Sequence, residues 1–466
     1  SVDNSCRFND DDTAYLDHTH GAVTSTRKNT FSFWVKRGLL SSYQYIISTK
    51  NGTSTNRDGI AFNDSDQIDI RYNAGPSSPI RLTTNRVFRD CSAFYHIVVA
   101  VDTEQSTESN RIKVYVNGTQ ETSFATSDYM DEDYDFALNS KTDQATGIGV
   151  DGRLNSSYFD GYMAEFVAID GTQNAVTDFG EFDEDSPTIW KPKDVSGLTF
   201  GNAGFYMNFQ TAAELGTDVS GNSNTFTENN LDATDQAIDT PTNNFCTMNP
   251  LDNYYQQGIF SQGNTKWGNA AADYTYGTGT IAVSSGKWYW EVYYSVITTG
   301  PKDLIGVASR MATNNKALGE SAFGGWGYYS NNGNVWSDGD EDVSYGDAFA
   351  AADIIGVYLD LDNNKLYFSK NGTIQNSGTG ISITAPASTV LGAYLPAASS
   401  NEPNPASKGL YSFNFGNGVF DGTAVSSSNA DANGYGLFEY DPSAGTFDSA
   451  SKNFYALCTK NLAEFG

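Results

Sequence analysis

The stretch from Gly286 to Gly372 alternates apolar and polar residues in short runs that glycine and asparagine interrupt. It contains, in order, GKWYWEVYYSV, LIGVASR, GWGYYSNNG and DIIGVYLDLDNNKLYFSKNG. A period of two places successive side chains on opposite faces of a strand, and short runs bounded by turn residues favour strands over helices. The stretch therefore predicts a series of antiparallel strands joined by tight turns.

The first half of the chain shows the same pattern. Its period-2 segments include TFSFWVKRG, YQYIISTK, QIDIRYN, FYHIVVAVD and RIKVYVNGTQ. Asn117-Gly118 and Asn371-Gly372 each follow such a segment, and we expect each pair to close a two-residue hairpin, because a type I′ turn needs positive φ at both central positions. The predicted fold class is all-β, with two antiparallel β-sandwich (jelly-roll) domains in tandem.

Length and charge limit the function classes. A chain of 466 residues is too long for one ordinary core and suits two domains. The formal net charge of -29 repels phosphate backbones and anionic lipid, so nucleic acid is not an expected partner. No apolar run reaches the roughly 18 residues of a membrane span, and the first residues lack the pattern of a secretory signal. We expect a soluble chain that is made in a cytoplasm and does not insert into membranes.

Composition along the chain predicts four parts. Residues 1–212 form the first jelly roll, and residues 213–250 form an Asn/Thr-rich linker or surface strap with few large apolar residues. Residues 251–422 form the second sandwich. Residues 423–466 form a C-terminal tail whose aromatic residues suggest packing on the body or on a neighbouring molecule.

Each half resembles a known family. The order FSFWVKRG, FYHIVVAVD, RIKVYVNG and SSYFDGYMAEFVAIDG resembles the laminin-G or concanavalin-A-like jelly roll, over roughly Asn4 to Gln210. The order GKWYWEVY, IGV, GWGY, IIGVYLDLDNNKLYFSKNG and YSFNFGNG resembles the SPRY family, over about Gly286 to Gly418. The resemblance implies binding folds rather than a particular reaction.

Three further strings resemble proteins of marine tailed bacteriophages that join such a jelly roll to a SPRY domain. They are RFNDDDTAYL, TPTNNFCTMNPLDN and YALCTKNL. The resemblance implies a virion component: a head or tail fibre, a knob or a decoration protein. The chain has no coiled-coil heptads, collagen-like run or β-helical repeat to build a shaft, so a globular knob or coat protein fits it better.

Catalytic motifs are missing from the sequence, and we predict no catalytic residue. The acidic string EFDEDS at Glu181 to Ser186 falls one acid short of the pattern of jelly-roll glycoside hydrolases, which need two carboxylates facing a sugar. His96 lies in an apolar run and suits packing, and His18 and His20 lack a third metal ligand. The four cysteines are far apart without a C-x-x-C pair, which favours free thiols.

Calcium is the more credible ion, because hard cations take carboxylate and carbonyl oxygens from loops. Two acidic clusters supply weak candidate ligands, neither with EF-hand spacing, and solvated charge is the alternative. The candidates are Asp10, Asp12, Asp131, Asp133 and Asp135.

The turn SNNGNV is the predicted ligand-contact loop of the second domain. Aromatic residues flank it and amides lie within it, and sugar and peptide sites commonly pair a flat aromatic face with planar polar groups. Packing in the core is the alternative for its aromatic residues. The candidate contact residues are Tyr328, Tyr329, Asn331, Asn332, Asn334, Trp336 and Asp338.

These observations predict a non-enzymatic phage virion protein that takes part in virion assembly and in attachment to host-surface glycan. It would lie on the virion surface, contact other virion proteins and form homo-oligomers, for which a trimer suits a fibre. The alternative hypothesis is a bacterial cell-surface lectin or adhesin. A third hypothesis is a glycoside hydrolase of the jelly-roll type.

Overall fold

The chain forms two compact units, Ser1–Thr242 (unit 1) and Asn243–Gly466 (unit 2). The structure, a computed structural model, describes residues 1–50, 58–72, 80–252, 258–269, 275–296, 303–311, 316–320, 324–337, 342–400 and 409–466. Asp338, one of the predicted contact residues, lies outside these ranges. Both units are built almost wholly from antiparallel strands, which confirms the predicted all-β class.

Unit 1 contains eighteen described strands and one short helix, α1 (Glu108–Arg111). The strands are β1 (Ser5–Phe8), β2 (Tyr15–His18), β3 (Lys28–Arg37), β4 (Gln44–Lys50), β5 (Gly59–Phe62), β6 (Gln67–Tyr72), β7 (Ile80–Val87), β8 (Tyr95–Asp102), β9 (Ile112–Val116), β10 (Thr119–Glu121), β11 (Phe124–Ser127), β12 (Ala145–Ile148), β13 (Gly161–Asp170), β14 (Gly180–Phe182), β15 (Trp190–Pro192), β16 (Phe205–Met207), β17 (Thr227–Asn229) and β18 (Gln236–Ala237).

Two eight-stranded sheets form the sandwich of unit 1. The first has the order β10-β9-β8-β3-β13-β1-β18, with β16 also paired to β13, and the second has the order β11-β7-β6-β5-β4-β12-β2-β17. Alternate residues of both sheets, such as Phe31, Phe33, Ile47 and Ile70, are fully buried between them. This burial follows from the period of two that the sequence displays.

A second apolar layer covers the outer face of the first sheet. Trp34 and Tyr162 point outward from β3 and β13 and pack with Phe179, Trp190 and Phe200 from the segment that follows β13. Both faces of β3 and β13 are therefore buried. This explains why apolar residues occupy most positions in the sequence of β13.

Unit 2 contains seventeen described strands and one helix, α2 (Thr459–Phe465). The strands are β19 (Gly258–Ser261), β20 (Lys266–Asn269), β21 (Thr275–Thr278), β22 (Lys287–Val296), β23 (Asp303–Ala308), β24 (Gly325–Tyr329), β25 (Asn334–Trp336), β26 (Asp342–Ser344), β27 (Ile354–Asp360), β28 (Lys365–Lys370), β29 (Thr373–Ile374), β30 (Ile381–Ser382), β31 (Leu395–Ser400), β32 (Gly409–Asn414), β33 (Val419–Phe420), β34 (Thr423–Ala424) and β35 (Tyr455–Ala456).

A nine-stranded and a six-stranded sheet enclose the core of unit 2. The larger sheet follows β19-β20-β32-β22-β27-β28-β29, with β30 paired to β28 and β35 to β22, and the smaller follows β21-β31-β23-β24-β25-β26. Trp288, Trp290 and Val292 of β22 are fully buried in this core. The pairing of β35 with β22 is parallel and brings the C-terminal tail into the larger sheet.

Both predicted Asn-Gly hairpins are present. Asn117 and Gly118 have φ of 48° and 78°, and they join Val116 to its partner Thr119. Asn371 and Gly372 have φ of 49° and 76°, and they join β28 to β29. Positive φ at both central residues confirms the type I′ geometry that the sequence predicts.

The predicted linker and the predicted C-terminal tail both add strands to the sheets of the sandwiches. Residues 213–250, the predicted linker or strap, supply β17, which pairs with β2, and β18, which pairs with β1. The tail, residues 423–466, places Phe447 and Phe454 against Tyr358 of unit 2, with ring centroids 4.9 and 5.1 Å away.

Unit 1 also buries charged pairs. The guanidinium of Arg37 donates to Asp66 at 2.9 Å, and Lys36 donates to Asp239 at 2.8 Å, with all four side chains almost inaccessible to water. The four cysteines are buried and carry free thiols. In the described part of the chain, no helix has the length and apolar character that a membrane crossing requires.

Candidate functional site

The predicted contact loop connects β24 to β25 in unit 2. Gly327 pairs with Trp336 and Tyr328 with Val335, so the turn between the strands spans residues 330–333. Asn331 and Asn332 are exposed at its tip, and the Asn332 carboxamide oxygen accepts the backbone N–H of Asn334 at 3.0 Å. This bond holds the Asn332 amide at a defined position in the turn.

Tyr328 belongs to the core of unit 2. It is fully buried, its ring stacks on Phe368 at 5.1 Å, and its hydroxyl donates to the carbonyl of Asp347. Burial raises the pKa of this hydroxyl above its ordinary value. The side chain therefore leaves no ring face for a ligand.

Tyr329 and Trp336 lie on the opposite face of the same sheet. Their ring centroids are 5.5 Å apart, Tyr329 is 7 % exposed, and Trp336 is half-buried. The Trp336 indole N–H finds no acceptor among the described residues. The structure thus leaves Asn331 and Asn332 exposed at the tip of the loop, whereas the half-buried Trp336 lies further along β25 and packs against Tyr329.

The acidic cluster at the start of unit 1 is engaged by protein groups. The carboxyl of Asp160 lies close enough to Asp10 for the two to interact, and Asp12 accepts from the Asn9 amide at 2.6 Å. Burial raises the pKa of both Asp10 and Asp160, and each of these carboxyls has another acid beside it that adds to the effect. Two carboxyls in one buried place are stable when they share a proton.

The second cluster is partly neutralised by Arg27. Its guanidinium lies 2.8 Å from Asp133 and 3.4 Å from Asp135, and the Thr26 hydroxyl and Arg27 lower the pKa of Asp135. Asp131 is exposed nearby in sequence. Within the described ranges, no three His, Cys, Asp or Glu side chains are grouped as a metal site would require.

The three histidines lie in apolar surroundings. His18 and His20 have ring centroids 4.7 Å apart, and burial lowers the pKa of His20 to about 4. His96 accepts the Trp190 indole N–H at Nδ1, 2.8 Å away, so in its neutral form Nε2 carries the proton and donates to the Ser32 hydroxyl at 2.8 Å. Burial lowers the pKa of His96 to about 3, which keeps it neutral.

The acidic string at Glu181 to Ser186 begins within β14 and continues beyond it at the surface. Lys191 lies 3.6 Å from Glu181 and 3.2 Å from Asp183. Both acids thus form an exposed ion-pair network with one lysine on the paired strand, rather than facing each other across a cleft.

A different carboxylate of unit 1 lines a polar cavity of about 270 Å³. Glu165 has φ of 47° at a bulge in β13, where pairing with β3 shifts register. Tyr206 donates to it at 2.6 Å, and burial raises the pKa of Glu165. A non-glycine residue in this conformation costs about 1 kcal/mol, and such strain is common at functional sites.

Glu291 is a second carboxylate that the sequence analysis missed. It is fully buried and accepts four hydrogen bonds, from the Tyr289 hydroxyl, the Asn414 amide and the backbone N–H groups of Glu439 and Tyr440. Burial raises the pKa of Glu291 to about 7, although the four donors oppose the shift. The sequence did contain a signal for this site, a glutamate inside the aromatic run KWYWEVYYSV. A carboxylate inside a buried strand needs hydrogen-bond partners, so such a glutamate predicts a polar site within the sheet.

Comparisons with known proteins agree with this architecture. A laminin G family profile, described as the concanavalin A-like lectin/glucanases superfamily, matches residues 10–175. The SPRY domain profile matches residues 287–412. No curated protein sequence matches the chain.

The solved structures that match the chain share little sequence with it. The SPRY domain of human HERC1 is 19% identical, with 32% of this chain and 87% of that chain covered and a TM-score of 0.26. A heptameric SAP-like pentraxin from Limulus polyphemus is 14% identical, with 37% and 78% covered and a TM-score of 0.28. A Bacteroides ovatus protein, provisionally named a carbohydrate binding protein, is 14% identical, with 49% and 58% covered and a TM-score of 0.29.

The two profile matches fall in different units, and each unit has the sandwich that its profile implies. The chain therefore contains a concanavalin A-like domain in unit 1 and a SPRY domain in unit 2.

Proposed function

We propose that this chain is a non-enzymatic binding protein of a bacteriophage virion that attaches the particle to glycan on the host surface. The observation that carries the proposal is the contact loop of unit 2, which exposes Asn331 and Asn332 at its tip and carries the half-buried indole of Trp336 on the strand that follows. Indole faces and planar amides are groups that sugar sites use. The lectin-like domain of unit 1 and the three phage-like strings support the same assignment.

The virion part of the proposal includes partners. Copies held in a symmetric particle cover their exposed edge strands, so we expect a homo-oligomer, with a trimer if the protein belongs to a fibre. One domain contacts other virion proteins, and the other faces the host. The net charge of -29 disfavours nucleic acid and anionic lipid as partners.

The glycan part is tested with the full chain on an array of neutral and acidic oligosaccharides. We expect binding that Trp336→Ala weakens at least tenfold, since the indole supplies the accessible aromatic face of the loop. Val390→Ala, which changes a side chain that is 67% exposed elsewhere in unit 2, is the matched control and leaves binding unchanged. Absence of binding to every oligosaccharide contradicts the glycan assignment.

The virion part has its own test. Mass spectrometry of purified particles is expected to detect the chain in stoichiometric amounts, and electron microscopy places it on the particle surface. A chain absent from purified virions but present on bacterial cells supports the alternative, a cell-surface lectin or adhesin.

Calcium enters the same array experiment. Arg27 already neutralises Asp133 and Asp135, Asp12 accepts from the Asn9 amide, and burial raises the pKa of Asp10, so these carboxylates fit a calcium ion poorly and the exposed Asp131 remains as a candidate ligand. Binding that EDTA abolishes and calcium chloride restores assigns a role to the ion. If EDTA leaves glycan binding unchanged, calcium has no role in that binding.

One observation favours a second candidate function, glycoside hydrolysis in unit 1. Glu165 lines a polar cavity with Asp194, and its raised pKa suits a general acid. Release of reducing sugar from host polysaccharide by the full chain, abolished by Glu165→Gln, establishes that function. We expect that neither the wild-type protein nor Glu165→Gln releases reducing sugar.

A further inference from the structure

A groove of about 380 Å³ lies on unit 2 between β22 and the β33–β34 hairpin. Residues from two parts of unit 2 line it. They are Tyr293 and Ser295 of β22, and Phe420, Asp421, Ser426 and Glu439 of the segment that follows β32. The SPRY profile ends at residue 412, so one wall lies beyond the family match. The groove is therefore a feature of this chain and its C-terminal extension.

The aromatic wall consists of Tyr293 and Phe420. Their ring centroids are 5.8 Å apart and inclined by 36°. Val292 and Tyr294, the neighbours of Tyr293 in β22, are buried in the core, so alternation places the half-buried Tyr293 ring on the outer face of the sheet. A phenol ring on this face offers the flat apolar platform on which a sugar ring packs.

The polar wall consists of two carboxylates held at fixed positions. Asp421 pairs with Lys266 at 2.6 Å, and its backbone N–H donates to the Ser412 hydroxyl at 2.9 Å. Glu439 accepts the backbone N–H of Ser426 at 2.6 Å and also its hydroxyl. A carboxylate has about four acceptor positions, so both groups keep capacity for hydroxyl donors from a ligand.

Buried groups hold this wall in place. Glu291 accepts the backbone N–H of Glu439 at 3.0 Å, and Asn414 donates to the carbonyl of Leu437 at 2.8 Å. The backbone that carries Glu439 is thus fixed to the sheet before any ligand arrives. Such preorganisation lowers the entropy cost of binding.

We propose that this groove binds a neutral saccharide, with the sugar ring packed on Tyr293 and its hydroxyls donated to Asp421 and Glu439; the inference rests on the proposed glycan attachment and adds a second site for it, in addition to the contact loop. Acidic sugars are excluded, because their charge meets two carboxylates, of which Asp421 alone has a cationic partner among the described residues. The volume suits one or two sugar residues, at the small end of the range for ligand pockets.

The test uses the full chain and isothermal titration with neutral tetrasaccharides of glucose, mannose and galactose, and with a tetrasaccharide of galacturonate. Wild-type protein is expected to bind at least one neutral probe and to bind galacturonate at least tenfold more weakly. Tyr293→Ala and Asp421→Asn each weaken neutral binding at least tenfold. Tyr293→Phe keeps the ring and retains binding, which attributes the loss to the ring rather than to the hydroxyl.

The outcomes separate the groove from the general proposal. If the neutral probe binds and only Trp336→Ala weakens it, the groove assignment is wrong and glycan attachment stands. If the galacturonate probe binds as tightly as the neutral probes and Tyr293→Ala weakens its binding, the two carboxylates do not repel acidic sugars. The predicted selectivity for neutral saccharides is then wrong. If no probe binds wild-type protein, both the groove and its saccharide class are rejected, and the virion assignment is judged separately on purified particles.

Discussion

Glu291 gives the sharpest test of the energetics of unit 2. Burial raises its pKa to about 7 from an ordinary 4.5, so between these values the folded protein holds a proton that the unfolded chain has released. A carboxyl whose folded pKa is raised contributes most stability below pH 4.5, and this contribution declines as pH rises through about 7. A difference of roughly 2.5 pKa units corresponds to roughly 3 kcal/mol, which we expect unit 2 to lose between pH 4.5 and 8.

Glu291→Gln removes the titration and keeps the shape of the side chain. The amide oxygen still accepts two bonds, but the amide NH₂ meets donors on the other side, so we expect the variant to be less stable by about 1–3 kcal/mol at pH 5. The deficit narrows as pH rises, because only the wild-type protein loses the protonated form. The wild-type curve is therefore steeper than the variant curve, by at most about 1.4 kcal/mol per pH unit.

Urea unfolding at pH 5, 6, 7 and 8 measures both curves. Five of the seven tryptophans lie in unit 2, so fluorescence reports mainly on its unfolding. Glu181→Gln, at an exposed position of unit 1, is the matched control and keeps the wild-type pH dependence. Equal slopes for wild-type protein and Glu291→Gln, or a wild-type stability that rises with pH relative to the variant, refute the reasoning.

Three other predictions concern unit 1. Burial lowers the pKa of His96 to about 3, so stability is expected to fall by roughly 5 kcal/mol as pH drops from 6.5 towards 3, and His96→Gln flattens this dependence in thermal unfolding. Arg37→Met removes one of the two guanidinium groups that lie 2.9 Å from the buried Asp66 carboxylate, and it lowers the free energy of unfolding by about 3 kcal/mol in urea titrations. Gly38→Ala places a methyl group 1.6 Å from a buried aspartate oxygen and lowers the melting temperature, whereas Gly21→Ala, with nothing within 4 Å, does not.

Local patterns predicted the strands and turns because each depends on residues close in sequence. The period of two located β3, β8, β22 and β27, and the Asn-Gly pairs predicted the hairpins that join β9 to β10 and β28 to β29. Pairing between distant short strands carries no such signal. Residues 227–229 pair with β2 more than two hundred residues earlier, so composition alone described this stretch as a linker or strap.

The candidate site was predictable only in part, for a similar reason. The turn SNNGNV was visible in the sequence, but the assignment of Tyr328 to the core and Trp336 to the outer surface depends on strand register. Shifting the register by one residue exchanges the two faces. Glu291 meets the backbone of residues 439 and 440 about 150 positions later, and only the folded chain shows that contact.

The end of the SPRY match is not the end of the structural unit. Phe438 packs on Tyr289 with ring centroids 5.0 Å apart, Phe447 packs on Tyr367 at 5.1 Å, and Leu457 is fully buried in the core of unit 2. These residues bury aromatic surface of the larger sheet that would otherwise be exposed, and aromatic burial is a large term in domain stability. The same extension supplies Phe420, Asp421 and Glu439 to the groove. Because the residues that complete the fold also complete the groove, a fragment cut at residue 412 is expected to lose both, and binding studies need the whole of unit 2.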